Sequence, residues 1–223
     1  MEDAFERHFA IGPLGLPGVL RVPMRPRGLV VFAHGSGSSR LSPRNIHVAG
    51  ILGRHRLATL LFDLLTADEA RLRANVFDIP LLAGRLVQAV GQVAAVPDLH
   101  GLPIGLFGAS TGAAAALVAA AELGGRVAGV VSRGGRPDLA GDALTRVKAP
   151  TLLIVGSLDL VVLELNRDAL AVLGGDSSLA VVPGASHLFE EAGTLDLAAA
   201  RAAGWFVRFM PEDRPGAIPP AAR

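Results

Sequence analysis

The 223-residue chain has no cysteine, which excludes disulfides and thiolate-held metals but does not identify a compartment. Aromatic residues are scarce at 4%, so a core of any size must be assembled from Val, Leu, Ala and Ile. Net charge is close to absent: 21 Lys and Arg against 20 Asp and Glu leave +1 at pH 7. That balance offers no electrostatic footprint for nucleic acid or an anionic membrane. The basic side chains are almost all arginine and form no block. No apolar run reaches the length of a membrane span. The charged opening Met1-Glu2-Asp3-Ala4-Phe5-Glu6-Arg7 leads into no signal-peptide core. No pair of histidines has metal-ligand spacing. The expectation is a cytoplasmic, soluble protein, monomer or homodimer, that uses neither metal nor cofactor and has a small molecule as its partner.

What the chain does have is concentrated in one stretch. Pro103-Ile104-Gly105-Leu106-Phe107 is a short apolar run, and it ends in Gly108-Ala109-Ser110-Thr111-Gly112. The Ala-rich run Ala113–Val118 follows at once. Strand, sharp turn and helix in that order are what a nucleophile elbow requires. A serine at the tip of so tight a turn sits in strained backbone, so its glycine neighbours must offer little bulk to the adjoining strand and helix. The turn presents the hydroxyl and leaves the first helix amides unpaired beside it, where an oxyanion can bind. The competing structural reading is a Gly-rich turn with an incidental serine.

Three further segments favour chemistry. Leu29-Val30-Val31-Phe32-Ala33 is a buried strand that runs into His34-Gly35-Ser36-Gly37-Ser38-Ser39, small residues that let a backbone N–H approach a substrate carbonyl. Thr151–Gly156 is another strand, with Asp159 three residues beyond it. Leu179–Pro183 leads into Gly184-Ala185-Ser186-His187. A nucleophilic serine needs a base to take its proton, and the base needs an acid to fix its tautomer. Ser110, Asp159 and His187 supply these in chain order, each just past a strand. In an open parallel sheet, all three then emerge at one edge. Ser36 and Thr111 supply the oxyanion amides.

These pieces resemble the α/β-hydrolases of the dienelactone hydrolase-like group over residues 15–210. His34-Gly35-Ser36-Gly37, the elbow, Gly156-Ser157-Leu158-Asp159 and Gly184-Ala185-Ser186-His187 carry the likeness. The resemblance implies a single α/β-hydrolase domain and a Ser-Asp-His triad. It also implies hydrolysis of a small carboxylic ester or lactone through an acyl-enzyme. There are two departures. Dienelactone hydrolases proper use a cysteine nucleophile, and they place a glutamate where Gly35 stands. Similar proteins with this elbow occur alone or joined to a phosphoribosyltransferase domain, and no such domain fits within these residues. A silent binding module and an acyltransferase or perhydrolase with the same triad are the alternatives.

Read coarsely, the chain alternates strand and helix. Strands are expected at Leu16–Val22, Leu29–Ala33, Ala58–Leu64, the elbow strand, Val127–Ser132, Thr151–Val155 and Leu179–Val182. Helices are expected at Pro43–Arg56, Ile79–Ala95, after the elbow, and at Val161–Leu173 and Leu195–Phe209. This alternation means crossover connections and a mainly parallel sheet with helices on both faces. Only Arg133–Pro150 separates Ser132 from the next strand, too little for a substantial lid. The Pro- and Ala-rich tail from Pro211 is expected to be poorly ordered.

Rival residues have bland readings. His34 is expected to support the oxyanion loop rather than act as base. Asp63 is the alternative acid. Glu190 and Glu191 read as loop charges. His8, His47, His55 and His100 read as surface or structural residues. Arg40, Arg44, Arg71, Arg73, Arg133 and Arg136 follow predicted strands. The dienelactone hydrolase resemblance implies that arginines meet a substrate carboxylate, and Arg71, Arg73, Arg40 and Arg133 are the candidates here.

Overall fold

A computed structural model describes residues 5–211. Its strands are β1 (Phe5–Ile11), β2 (Leu16–Val22), β3 (Gly28–Ala33), β4 (Leu57–Phe62), β5 (Ile104–Ala109), β6 (Val127–Arg133), β7 (Thr151–Gly156) and β8 (Ser177–Val182). The helices are α1 (Pro43–Arg54), α2 (Arg73–Val76), α3 (Ile79–Ala94), α4 (Thr111–Leu123), α5 (Leu160–Val172) and α6 (Thr194–Phe209). The strands form one eight-stranded sheet in the order β1-β2-β4-β3-β5-β6-β7-β8. From β4 to β8 all neighbours are parallel, while β2 runs antiparallel to both β1 and β4.

Every residue of β3, β4, β5 and β7 is buried, as expected of strands covered on both faces and written as unbroken apolar runs. One face packs Leu29, Val31 and Leu106 against Leu82 and Leu86 of α3 and the alanines of α4. The other packs Val30, Phe32 and Phe107 against Val48 and Leu52 of α1 and Ala199 and Phe206 of α6. Helix starts follow local chemistry. The Ser42 side chain accepts from the Asn45 N–H ahead of α1, Asp78 accepts from the Leu81 N–H ahead of α3, and both helices carry proline in the first turn.

The expected elements match the observed ones to within one or two residues; β1 and the single-turn α2 were not expected. The sequence reading placed no strand before Leu16. In the structure Phe5–Ile11 forms a hairpin with β2, in the register Phe5 opposite Val22 and Ile11 opposite Leu16. Its first four side chains are exposed, and Glu6 pairs with Arg21 at 2.8 Å. Charges on an outermost strand discourage pairing with another chain, and they also hide the strand from a search for apolar alternation. Gly12 and Gly15, at φ 64 and 62, close the turn.

The order of strands positions the site. From β3 the chain crosses to β4 on one side and then returns to β5 on the other. A crevice therefore opens beyond the carboxyl ends of β3 and β5, where connections leave toward opposite faces. Between β6 and β7 the connection is a 3-10 segment, Pro137–Arg146. The tail expected to be poorly ordered lies, beyond Pro211, outside the described residues.

Candidate active site

Ser110 joins β5 to α4 at φ 51, ψ −122, a conformation costly for any residue with a side chain. The turn is held by backbone bonds. The Ser110 N–H donates to the Arg133 carbonyl at 3.2 Å, and its own carbonyl accepts from Ala113 and Arg136, each at 3.1 Å. Glycine is a steric requirement on either side. A Cβ on Gly108 would lie 2.3 Å from the Ala113 Cα, and one on Gly112 would lie 2.3 Å from the Ala33 carbonyl oxygen. The Ser110 hydroxyl makes no hydrogen bond to any described residue.

Asp159 and His187 are brought together as the chain order suggested. Nδ1 of His187 lies 2.6 Å from Oδ2 of Asp159, with the imidazole 38% and the carboxylate 14% exposed. An ionised carboxylate accepts only, so Nδ1 carries the proton and Nε2 is left as a base. Two loops are laced together to hold this pair. The Leu158 N–H donates to the Ala185 carbonyl at 3.0 Å, and the Gly184 N–H donates to Ser157 Oγ at 2.8 Å. A Cβ on Gly156 would meet the Ala185 carbonyl oxygen at 2.2 Å. After the histidine, Glu191 accepts from the Ser186 N–H at 3.0 Å, and that bond holds its carboxyl below the usual range. Glu190 faces Arg44 at 3.5 Å. Ser110 and His187 each border the end of β6. Arg133 binds the serine amide, and a Cβ on the following Gly134 would lie 3.6 Å from His187 Nδ1.

A cavity of about 400 Å³ opens beside the elbow. The loop His34–Ser39, Asp63–Ala67, Ala70, Val76, Leu82 and Thr111 line it, so its floor is largely apolar. His34 is structural. Its Nε2 accepts from the Leu64 N–H at 3.1 Å, and its Nδ1 faces the Gly35 carbonyl at 3.0 Å. Burial pushes its pKa below the ordinary value. Asp63 is committed elsewhere: it accepts from the Arg40 amide at 2.6 Å and pairs with the Arg40 guanidinium.

The arginines part company. Arg40 is held by Asp63, and neither it nor Arg133 is among the residues that line the cavity. Arg133 is 8% exposed, with its guanidinium 5.9 Å from the ring centroids of both Phe107 and Phe189. Burial, and secondarily Arg44, lower its pKa to about 10. Arg71 and Arg73 border a shallow depression with Ser36, Gly37 and Phe77. Both are exposed; Arg71 lies 3.5 Å from Asp68, and Arg73 stacks on Phe77. Of the expected oxyanion groups, the Thr111 N–H, in the first turn of α4, has no acceptor among the described residues. The Ser36 N–H donates instead to Thr111 Oγ1 at 2.9 Å. Sequence could not signal that bond, which spans 75 positions.

A dienelactone hydrolase from Anabaena variabilis superposes with a TM-score of 0.88 at 52% identity, covering 93% of this chain and 98% of the other. The chain belongs to the dienelactone hydrolase-like group of the α/β-hydrolases. More distant structures share this fold. Est1E from Butyrivibrio proteoclasticus aligns at TM-score 0.77 and 14% identity, covering 92% of this chain and 98% of that one. The esterase domain of a Rhodothermus marinus protein aligns at 0.72 and 19%, covering 93% and 99%. No family model matches the chain. Two Mycobacterium tuberculosis proteins, from strains CDC 1551 and H37Rv, are 63% identical over 196 residues. Each is called "Putative phosphoribosyl transferase". The match covers 88% of this chain but 44% of theirs, so this dienelactone hydrolase-like chain spans less than half the length of those relatives.

Proposed function

We propose that the protein is a serine hydrolase that cleaves a small carboxylic ester or lactone through an acyl-enzyme. The observation that carries this reading is the 2.6 Å contact between His187 Nδ1 and Asp159 Oδ2, taken together with the strained backbone of Ser110 at φ 51. Asp159 fixes the tautomer, so His187 Nε2 takes the proton as Ser110 Oγ attacks the carbonyl carbon. The carbonyl electron pair moves onto oxygen beside the first amides of α4. Collapse expels the alcohol with the proton from His187, and water activated by the same nitrogen releases the acid. The cavity of about 400 Å³ is the right size for one small organic group, and its apolar floor supports a hydrocarbon portion there. Arg71 and Arg73, in the adjoining depression, are the candidates to meet an anionic end.

Labelling by a fluorophosphonate tests the reading directly. The unmodified protein is expected to form one covalent adduct, on Ser110, and to hydrolyse p-nitrophenyl acetate. Ser110→Ala is expected to do neither. Labelling that survives Ser110→Ala would exclude this serine as nucleophile.

A further inference from the structure

Thr111 carries more than a backbone amide. Its residue surface is 4% exposed, yet it lines the cavity beside Ser36. Oγ1 accepts the Ser36 N–H at 2.9 Å, and no described residue accepts the proton of that hydroxyl. A buried O–H with no protein acceptor is a cost unless an occupant of the site accepts it. The same residue's N–H, in the first turn of α4, is also unaccepted. A threonine N–H and O–H sit close enough together on one residue to converge on a single oxygen.

Building on the serine hydrolase reading, we infer that Thr111 supplies two donors to the oxyanion, its N–H and its O–H. The Ser36 N–H acts through the Thr111 hydroxyl rather than on the substrate. When Ser110 Oγ bonds to the carbonyl carbon, the displaced electron pair settles on the oxygen and meets both donors. The Ser36 amide already donates to Oγ1, so it polarises the O–H toward that developing charge, as in any chain of hydrogen bonds in a low-dielectric site. This assigns separate tasks to the two residues. Thr111 is a catalytic residue that touches the reacting oxygen, and Ser36 is a positioning residue that fixes the hydroxyl's direction.

The test uses Thr111→Val, which keeps the branched shape and loses the O–H, alongside Thr111→Ser, which keeps it, with p-nitrophenyl acetate and a fluorophosphonate as probes. Loss of one oxyanion donor typically lowers turnover by about 10²- to 10³-fold. Thr111→Val is therefore expected to lose about that much in kcat and in the labelling rate, with KM changing little. Thr111→Ser is expected to stay within a few-fold of the unmodified protein. If Thr111→Val does not fold, by circular dichroism and melting, Thr111→Ala takes its place with the same expectation. Turnover unchanged in the variant lacking the hydroxyl overturns the inference. Faster turnover does so too, because the hydroxyl would then be blocking a Ser36 amide that acts directly. Labelling that persists in Ser110→Ala instead defeats the serine hydrolase reading, so the two failures are distinct.

Discussion

The Leu64 N–H donates to Nε2 of His34 at 3.1 Å, which ties the ends of the neighbouring strands β4 and β3 to one another. The bond requires an unprotonated Nε2, so Nδ1 carries the proton that the Gly35 carbonyl accepts at 3.0 Å. One neutral imidazole thereby shapes the loop that borders the cavity.

A pH effect on stability follows. Burial lowers the folded pKa of His34 from 6.5, against smaller raising contributions from Gly35 and Asp63. Between the folded and unfolded values the unfolded chain binds more protons, so stability rises with pH there. His34 therefore contributes fully above about pH 6.5, and its contribution falls as the pH drops through the folded value. Thermal melting from pH 8 to pH 5 is expected to fall more steeply for the unmodified protein than for His34→Gln. Parallel curves would refute the assignment.

Backbone strain at Ser110 gives a second expectation. At φ 51, ψ −122, glycine is tolerated where side chains are not, so Ser110→Gly is expected to stabilise the fold by about 1 kcal/mol. Turnover is expected to fall on the order of a millionfold in the same variant. Urea melts together with p-nitrophenyl acetate assays read both effects. A destabilised Ser110→Gly would place the strain elsewhere.

The two aspartates separate by task. Asp159→Asn is expected to cost about 10⁴-fold in turnover, because an amide can turn its NH₂ toward Nδ1 and favour the wrong His187 tautomer. Asp63→Ala is expected to leave turnover within a few-fold and to cost about 1–3 kcal/mol of stability, since it unties a charged bond to the Arg40 amide and side chain. The opposite ranking in kinetics would move the acid to the end of β4.

An ester bearing a free carboxylate is expected to be preferred over its methylated analogue by about tenfold, with the preference erased in Arg71→Ala/Arg73→Ala. Arg71's side chain is 80% exposed, so raised salt is expected to weaken the effect. Equal kcat/KM for acid and methyl ester would return both arginines to solvent.

The parallel strands and the Ser110, Asp159 and His187 positions were legible because each signal is local: an apolar run, a tight turn, a polar residue after it. What escaped was set by contacts between distant segments. β1 carries Glu6, Arg7 and His8 on an exposed edge, and only its pairing with β2 makes it a strand. Arg133 reads as a solvated charge after a predicted strand, yet it is the last residue of β6 and lies between Phe107 and Phe189. Nothing in the chain announces that Asp63, 23 positions on, holds Arg40. The engagement of Ser36 by Thr111 was hidden for the same reason.

Because β3 and β5 are adjacent strands, Ser36 and Thr111 hang from backbone segments about 4.8 Å apart. The spacing of the groups nearest the nucleophile is thus inherited from the sheet's own ladder, and side-chain substitution in the surrounding loops does little to alter it. The wall formed by Thr66, Ala67, Ala70 and Val76 belongs to no strand. Laboratory selection for new substrates is therefore best aimed at that wall, where shape can drift while the chemistry stays in register.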